Sequence, residues 1–157
     1  MTASKDRRFP QFSLVLPKMV SKSNFRYGDT GHWRKNAAFE RECALLLRAA
    51  IPEGWQVGSP SDELSKRPRV IVAIAAVTLL DAGNVSKSLL DAAEGVVFLN
   101  DASVWAVTQI VSRSRSNQRT AASFALVSPG DDVDLSSLIT LVSKEALDTL
   151  EKSDASV

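Results

Sequence analysis

The sequence predicts an α+β fold: a single domain, residues 1–157, in which a mixed β-sheet is packed by helices. Three observations carry the prediction. One is the β-branched run VIVAIAAV at 70–77, which reads as the middle of a strand central in a sheet. A second is a set of segments with helical spacing of apolar residues, at 32–50, 84–94 and from Leu135 onward. The third is size and composition: 157 residues with 45% hydrophobic and 24% charged side chains are enough for one ordinary globular core.

The elements follow in order. FSLVLP at 12–17 reads as a first strand stopped by Pro17. KMVSKSNFRYGDTG at 18–31 is a polar, basic loop with Phe25 and Tyr27 interleaved, a pairing that suits exposed bases as well as it suits a plain surface loop. HWRKNAAFERECALLLRAA at 32–50 predicts a helix with Phe39, Cys43, Leu46, Leu47 and Ala50 on one face. A Pro/Gly/Ser-rich loop occupies 51–67, and a central strand spans 68–80. A second helix is expected from Asn84, as N-cap, to Glu94, with Leu89, Ala92 and Ala93 sharing a face and Gly95 at C′. Strands at 103–112 and 120–127 are expected to form a hairpin whose basic tip is SRSRSNQR. The last helix, from Leu135, repeats apolar residues at Leu138, Ile139, Val142, Ala146 and Leu150 and is capped by Asp132 or Asp134. The acids of PGDDVD read as loop and capping groups, because their spacing fits no calcium loop.

Composition excludes some functions. The one cysteine, Cys43, rules out an internal disulfide and is expected on a buried helix face, in keeping with a reducing compartment. The first residues, MTASKDRRFPQ, lack the apolar stretch of a secretion signal, and VIVAIAAV is far short of the ~20 residues a membrane helix needs. A cytoplasmic protein is expected. Net charge is +1, but it is unevenly distributed. Residues 1–49 hold ten Lys/Arg against four Asp/Glu, 70–105 hold one Lys against four acids, and 106–126 hold three Arg and no acid. A basic front and a basic 113–119 segment flanking an acidic centre can bring phosphates to carboxylates. A patchwork of solvated faces explains the same charges.

The acidic centre is LLDAGNVSKSLLDAAEGVVFLNDASVW, residues 79–105, where Asp81, Asp91, Glu94 and Asp101 stand among apolar residues. A helix over 85–94 climbs about 15 Å, and extended residues 96–100 can return about 17 Å, which would bring Asp101 back beside Asp81. Asp91, two turns along the helix, falls outside that pair. Lys87 sits in the first turns, where a cation opposes the helix dipole by about 0.3–1 kcal/mol. Pairing with a surface acid and contact with a bound phosphate offset that cost equally well. His32 has no catalytic partner in view, and Trp33, Trp55 and Trp105 read as core or dimer contacts.

Residues 81–101 read D-A-G-N-V-S-K-S-L-L-D-A-A-E-G-V-V-F-L-N-D. This resembles, without a gap, the signature of RusA-type Holliday junction resolvases, roughly D-x-D-N-x-x-K-x-x-x-D-A-x-x-G-V-V-x-x-D-D. Asp81, Asn84, Lys87, Asp91, Ala92, Gly95, Val96, Val97 and Asp101 match. The likeness extends over about residues 10–127, leaving 128–157, an acidic loop and amphipathic helix, outside it. It implies a RusA-like homodimer that binds four-way DNA junctions and hydrolyses phosphodiester bonds with Mg²⁺ or Mn²⁺ in recombination and repair. It also implies catalytic roles for Asp81, Lys87 and Asp101, with Asp81 and Asp101 as metal ligands and Asn84 shaping the turn. Expected DNA contacts are Asn84, Lys18, Lys22, Arg26, Arg34, Lys35, Arg113 and Arg115. Two positions depart from the signature: Gly83 stands for its second aspartate and Asn100 for the first of its paired aspartates. Each change removes a negative charge near the expected metal, so a relative that binds branched DNA without cutting it is the alternative reading. An interaction module whose acids serve only as caps is a third, which scattered basic residues would favour.

Overall fold

The structure is a computed structural model that describes residues 9–18 and 30–155, the side chains of 30–36 and 155 excepted. Within it, β1 (Gln11–Leu16), α1 (Thr30–Ala50), β2 (Arg69–Val77), α2 (Ala82–Ala93), β3 (Val104–Ser112), β4 (Arg119–Val127) and α3 (Leu135–Ala155) follow in chain order. The four strands make one mixed sheet of order β1-β4-β2-β3, antiparallel at β1/β4 and β4/β2 and parallel at β2/β3.

The pleat of β2 sorts its residues onto two faces. Val70, Val72 and Ile74 turn toward α1 and α2, where they pack with Phe39, Cys43 and Leu47 from α1 and Val85, Leu89 and Ala93 from α2. Ile71, Ala73 and Ala75 turn the other way and, with Ala121 and Ala125 of β4, meet Leu138, Val142, Ala146 and Leu150 of α3. Small residues on that second face let α3 lie close to the strands, which explains why an alanine-rich segment stays β. Each residue of β2 from Val70 to Ala76 is buried, as a strand covered on both faces requires.

The loop before β2 is pinned by Trp55. Its indole N–H donates to the Val97 carbonyl at 2.9 Å, and its ring meets Phe12 edge-on with centroids 4.9 Å apart. Phe12 in turn stacks on Phe124. Trp55 is therefore a core contact, while Trp105 is 38% exposed on β3 with the Arg69 guanidinium 5.3 Å from its ring centre. Cys43 is fully buried, and burial together with Glu42 and Glu40 pushes its thiol up to about 12.

Two sequence expectations are corrected. The strands β3 and β4 do not form a hairpin: β2 lies between them, and residues 113–118 cross its C-terminal end instead. Asn84 is not the N-cap of α2. Asp81 holds that place, and its Oδ1 accepts from the Asn84 backbone N–H at 2.9 Å. Gly95 does sit just past the helix, at φ +80°. At α3 the cap is Asp134, whose carboxylate accepts the Ser137 hydroxyl at 2.7 Å and is held below the usual carboxylate range by that bond. Among the described residues no helix is long and apolar enough to cross a membrane.

Candidate site at the head of helix α2

Beyond Val77 the chain leaves the sheet through Thr78, whose N–H still bonds the Ser112 carbonyl at 3.0 Å, and reaches Asp81 three residues later. The Asp81 carboxylate is fixed twice by one residue. Asn84 donates to Oδ1 from its backbone N–H and from its side-chain amide, both at 2.9 Å. Asn84 is itself only 4% exposed, so this clamp does not drift with solvent. Asp81 and Lys87 are exposed at the same helix head. Arg113 reaches it from the end of β3, donating from Nη2 to the Leu79 carbonyl at 3.0 Å.

The register gathers more positive charge here. Val77 lies opposite Arg119, and Leu16 opposite Thr120, so the C-terminal ends of β1 and β2 and the start of β4 share one end of the sheet. Lys18, just past β1, and Arg115, in the 113–118 crossing, belong to that end, and both are exposed. Arg119 is there as well, but it is committed to α3 through Asp154 at 3.7 Å and the Leu150 carbonyl at 3.3 Å. Lys22 and Arg26 lie outside the described residues, as do the side chains of Arg34 and Lys35.

Asp101 is not in this group. The strands β2 and β3 run parallel, Val70 beside Val104 and Val77 beside Ser112, and α2 is the crossover between them. Asp101 precedes Val104 at one end of the ladder, and Asp81 follows Val77 at the other, with seven register steps, about 23 Å, separating the ends. The expected extended return over 96–100 does not form. Gly95 to Phe98 instead close a turn, with the Gly95 N–H on the Phe98 carbonyl at 2.7 Å and the Val97 N–H on the Ala93 carbonyl at 2.8 Å. Asp101 then opens a short 3₁₀ turn whose cap is Asn100, its Oδ1 accepting from the Ala102 N–H at 3.0 Å. The position that departs from the signature thus has a local structural task that asparagine performs as well as aspartate.

Asp91 turns elsewhere again. With Glu40, Arg41, Arg48 and Glu94 it lines an open groove of about 610 Å³ between α1 and the end of α2. Among the described residues no group of three metal-ligating side chains forms. Within one chain, then, Asp81 and Asp101 do not fit a shared cation. The arrangement at the head of α2 is one clamped carboxylate, a helix N-terminus and exposed cations, a set of groups suited to a phosphate backbone.

No family model matches the chain, and no curated protein matches it.

Sequence reading missed two features of this end. One is the capping role of Asp81, for which the signal was present, since aspartate is as strong an N-cap as asparagine. The other is the arrival of Arg113 beside Leu79, which depends on β3 lying next to β2 and has no local sequence signal.

Proposed function

We propose that the chain is a RusA-type resolvase, an endonuclease that engages four-way DNA junctions and hydrolyses their phosphodiester backbone with Mg²⁺ or Mn²⁺. The observation that supports this best is the head of α2, where two signature residues, Asp81 and Asn84, have tasks that explain their spacing. Asp81 ends the strand exit and caps the helix. Asn84, three residues on, clamps its carboxylate. Lys87 stands one turn further, and Arg113 and Arg115 border the same end. A phosphate approaching there meets the helix N-terminus and flexible cations, while the clamped carboxylate keeps a fixed orientation.

The separation of Asp81 from Asp101 favours a second reading, in which the protein binds branched DNA through this basic end without cutting it.

The deciding experiment incubates purified protein with a labelled four-way junction and with linear duplex, in Mg²⁺, Mn²⁺ or EDTA, resolving binding and product strands separately. Paired, metal-dependent nicks confined to the junction, and lost in Asp81→Asn and Asp101→Asn, are the expected result. Junction binding without nicks in any metal selects the second reading. Equal, weak binding to junction and duplex would sink both.

A further inference from the structure

Residues 113–118 cross the end of β2 outside the sheet, yet they carry Arg113 and Arg115, two of the cations placed at the head of α2. A connection of this kind is ordinarily among the least stable parts of a fold. The bonds within it are short-range: Ser114 Oγ accepts the Ser116 N–H at 3.1 Å, and the Gln118 amide reaches the Arg115 carbonyl at 3.5 Å. Asn117 takes φ +55°, in the left-handed region, the one non-glycine residue to do so among those described. Asparagine tolerates that conformation better than most side chains, but its surroundings must still hold it there.

The end of α3 supplies the hold. The Asn117 side-chain amide donates to Asp154 Oδ1, and the Asn117 carbonyl accepts from Arg119 Nη1 at 2.9 Å. Arg119 Nε donates to the Leu150 carbonyl at 3.3 Å, and Nη2 lies 3.7 Å from Asp154 Oδ2. All three guanidinium nitrogens are thus engaged, and the Arg119 side chain is only 19% exposed. These contacts close a ring of Asn117, Asp154 and Arg119 that ties the crossing to the last turns of a helix. The helix is anchored separately, through Leu138, Val142, Ala146 and Leu150 on the sheet. A cation at this end of it also suits the helix dipole.

We infer that α3, the element outside the resolvase signature, is a latch on the crossing: Arg119 and Asp154 are positioning residues that hold Arg113 and Arg115 where a phosphate backbone passes the head of α2. The latch rests on the contacts above, and the DNA it serves rests on the reading proposed above. In this role neither residue touches the DNA, since Arg119 is occupied and Asp154 repels a phosphate. An ion pair with one half-exposed partner adds little to global stability. Its effect falls on how many conformations residues 113–118 sample. A binding segment that is already ordered loses less entropy when its ligand arrives, and affinity scales with the fraction of molecules in the competent state.

The latch and plain charge give opposite signs for one substitution. Asp154→Ala removes an acid near a phosphate-binding segment, which by charge alone tightens junction binding. Through the latch it releases Asn117 and Arg119, and binding weakens roughly 5- to 10-fold if the crossing keeps its place in about a tenth to a fifth of the molecules.

The experiment compares wild type with Asp154→Ala, Asn117→Gly, Arg119→Lys and Glu151→Ala. Asn117→Gly keeps the net charge and the left-handed backbone but removes the amide. Arg119→Lys keeps the charge but loses the three-way fork. Glu151→Ala removes the same charge as Asp154→Ala from an exposed position on the same helix. Limited trypsin digestion followed by mass spectrometry reads cleavage after Arg113 and Arg115, urea reads the fold, and anisotropy of a labelled four-way junction reads binding. The first three variants are expected to be cut there several-fold faster than wild type, with nearly unchanged urea midpoints, and to bind the junction more weakly. Glu151→Ala is expected to be cut like wild type and to bind no more weakly. Unchanged cleavage in Asp154→Ala overturns the latch, whatever Asn117→Gly does. A urea midpoint that falls along with the protection assigns the contacts to the fold as a whole and overturns it too. Faster cleavage with junction binding as tight as wild type, or tighter, overturns the positioning role. A wild type that does not bind the junction overturns the DNA reading instead, and the trypsin rates then decide the latch alone.

Discussion

Asp81 carries two demands on one carboxylate. As N-cap of α2 it accepts both Asn84 donors on Oδ1, and that bonding leaves Oδ2 for any ligand. Gly83 lies between the two, at the second position of the helix, where the signature has an aspartate. A Cβ added to Gly83 would meet only Asp81 Oδ1, at 3.7 Å, an ordinary contact, and its φ is not in the left-handed region. Nothing local therefore opposes a side chain. Gly83→Asp is expected to stabilise the fold by about 0.5–1 kcal/mol, since it removes a helical glycine and puts an acid in a first turn that has none. It is also expected to tighten Mn²⁺ binding several-fold by adding a carboxylate beside Asp81. Urea unfolding and a Mn²⁺ titration on the same variant check both. Gain of stability without gain of affinity would mean that the helix head is a capping site alone.

At the scale of elements, α2 and the turn after it show what the sequence makes legible. The helix was readable because Leu89, Ala92 and Ala93 recur at helical spacing and are indeed buried. Its end was readable because Gly95 is the residue that takes φ +80° without a steric penalty. No atom lies within 4 Å of a Cβ built there, so the requirement is conformational and not one of space. Gly95→Ala is expected to lower stability by about 1–2 kcal/mol, the cost of a left-handed β-carbon. A urea midpoint unchanged from wild type would show that the turn relaxes, along with the Trp55–Val97 bond it presents. What could not be read was the partner of each strand. Neighbouring strands in sequence usually pair, and SRSRSNQR looks like a hairpin tip. Yet β2, buried from Val70 to Ala76, accepts β3 and β4 on its two sides, so the tip becomes a crossing. The supposed nearness of Asp81 and Asp101 failed for the same reason: chain reach permits a return over 96–100, but the Gly95–Phe98 turn and the parallel ladder fix where the return goes.

Over the described residues, charge is spread unevenly between α3 and one end of the sheet. The outer positions of α3 carry Glu145, Asp148, Glu151 and Asp154 against Lys144 and Lys152, and Asp154 already neutralises Arg119. The opposite balance holds at the sheet end with Lys18, Lys87, Arg113 and Arg115. Among the described residues, a polyanion would meet more acid on α3 and more base at the head of α2. If that end follows the phosphates of a junction, junction affinity falls linearly on a log–log plot against salt, with about 0.9 units of slope for each phosphate neutralised. Arg113 bonds the Leu79 carbonyl through one Nη2 N–H and is exposed, as is Arg115. Replacing both by alanine is expected to reduce the magnitude of the slope by roughly 2 and to weaken junction binding at every salt concentration. Lys144→Ala, on the acidic face, is expected to leave both unchanged. The measurement is fluorescence anisotropy of a labelled junction over a salt series with the three proteins side by side. Equal slopes for all three would place the DNA elsewhere on the molecule. A shallower slope for Lys144→Ala alone would put it on α3, against the field that the sequence builds.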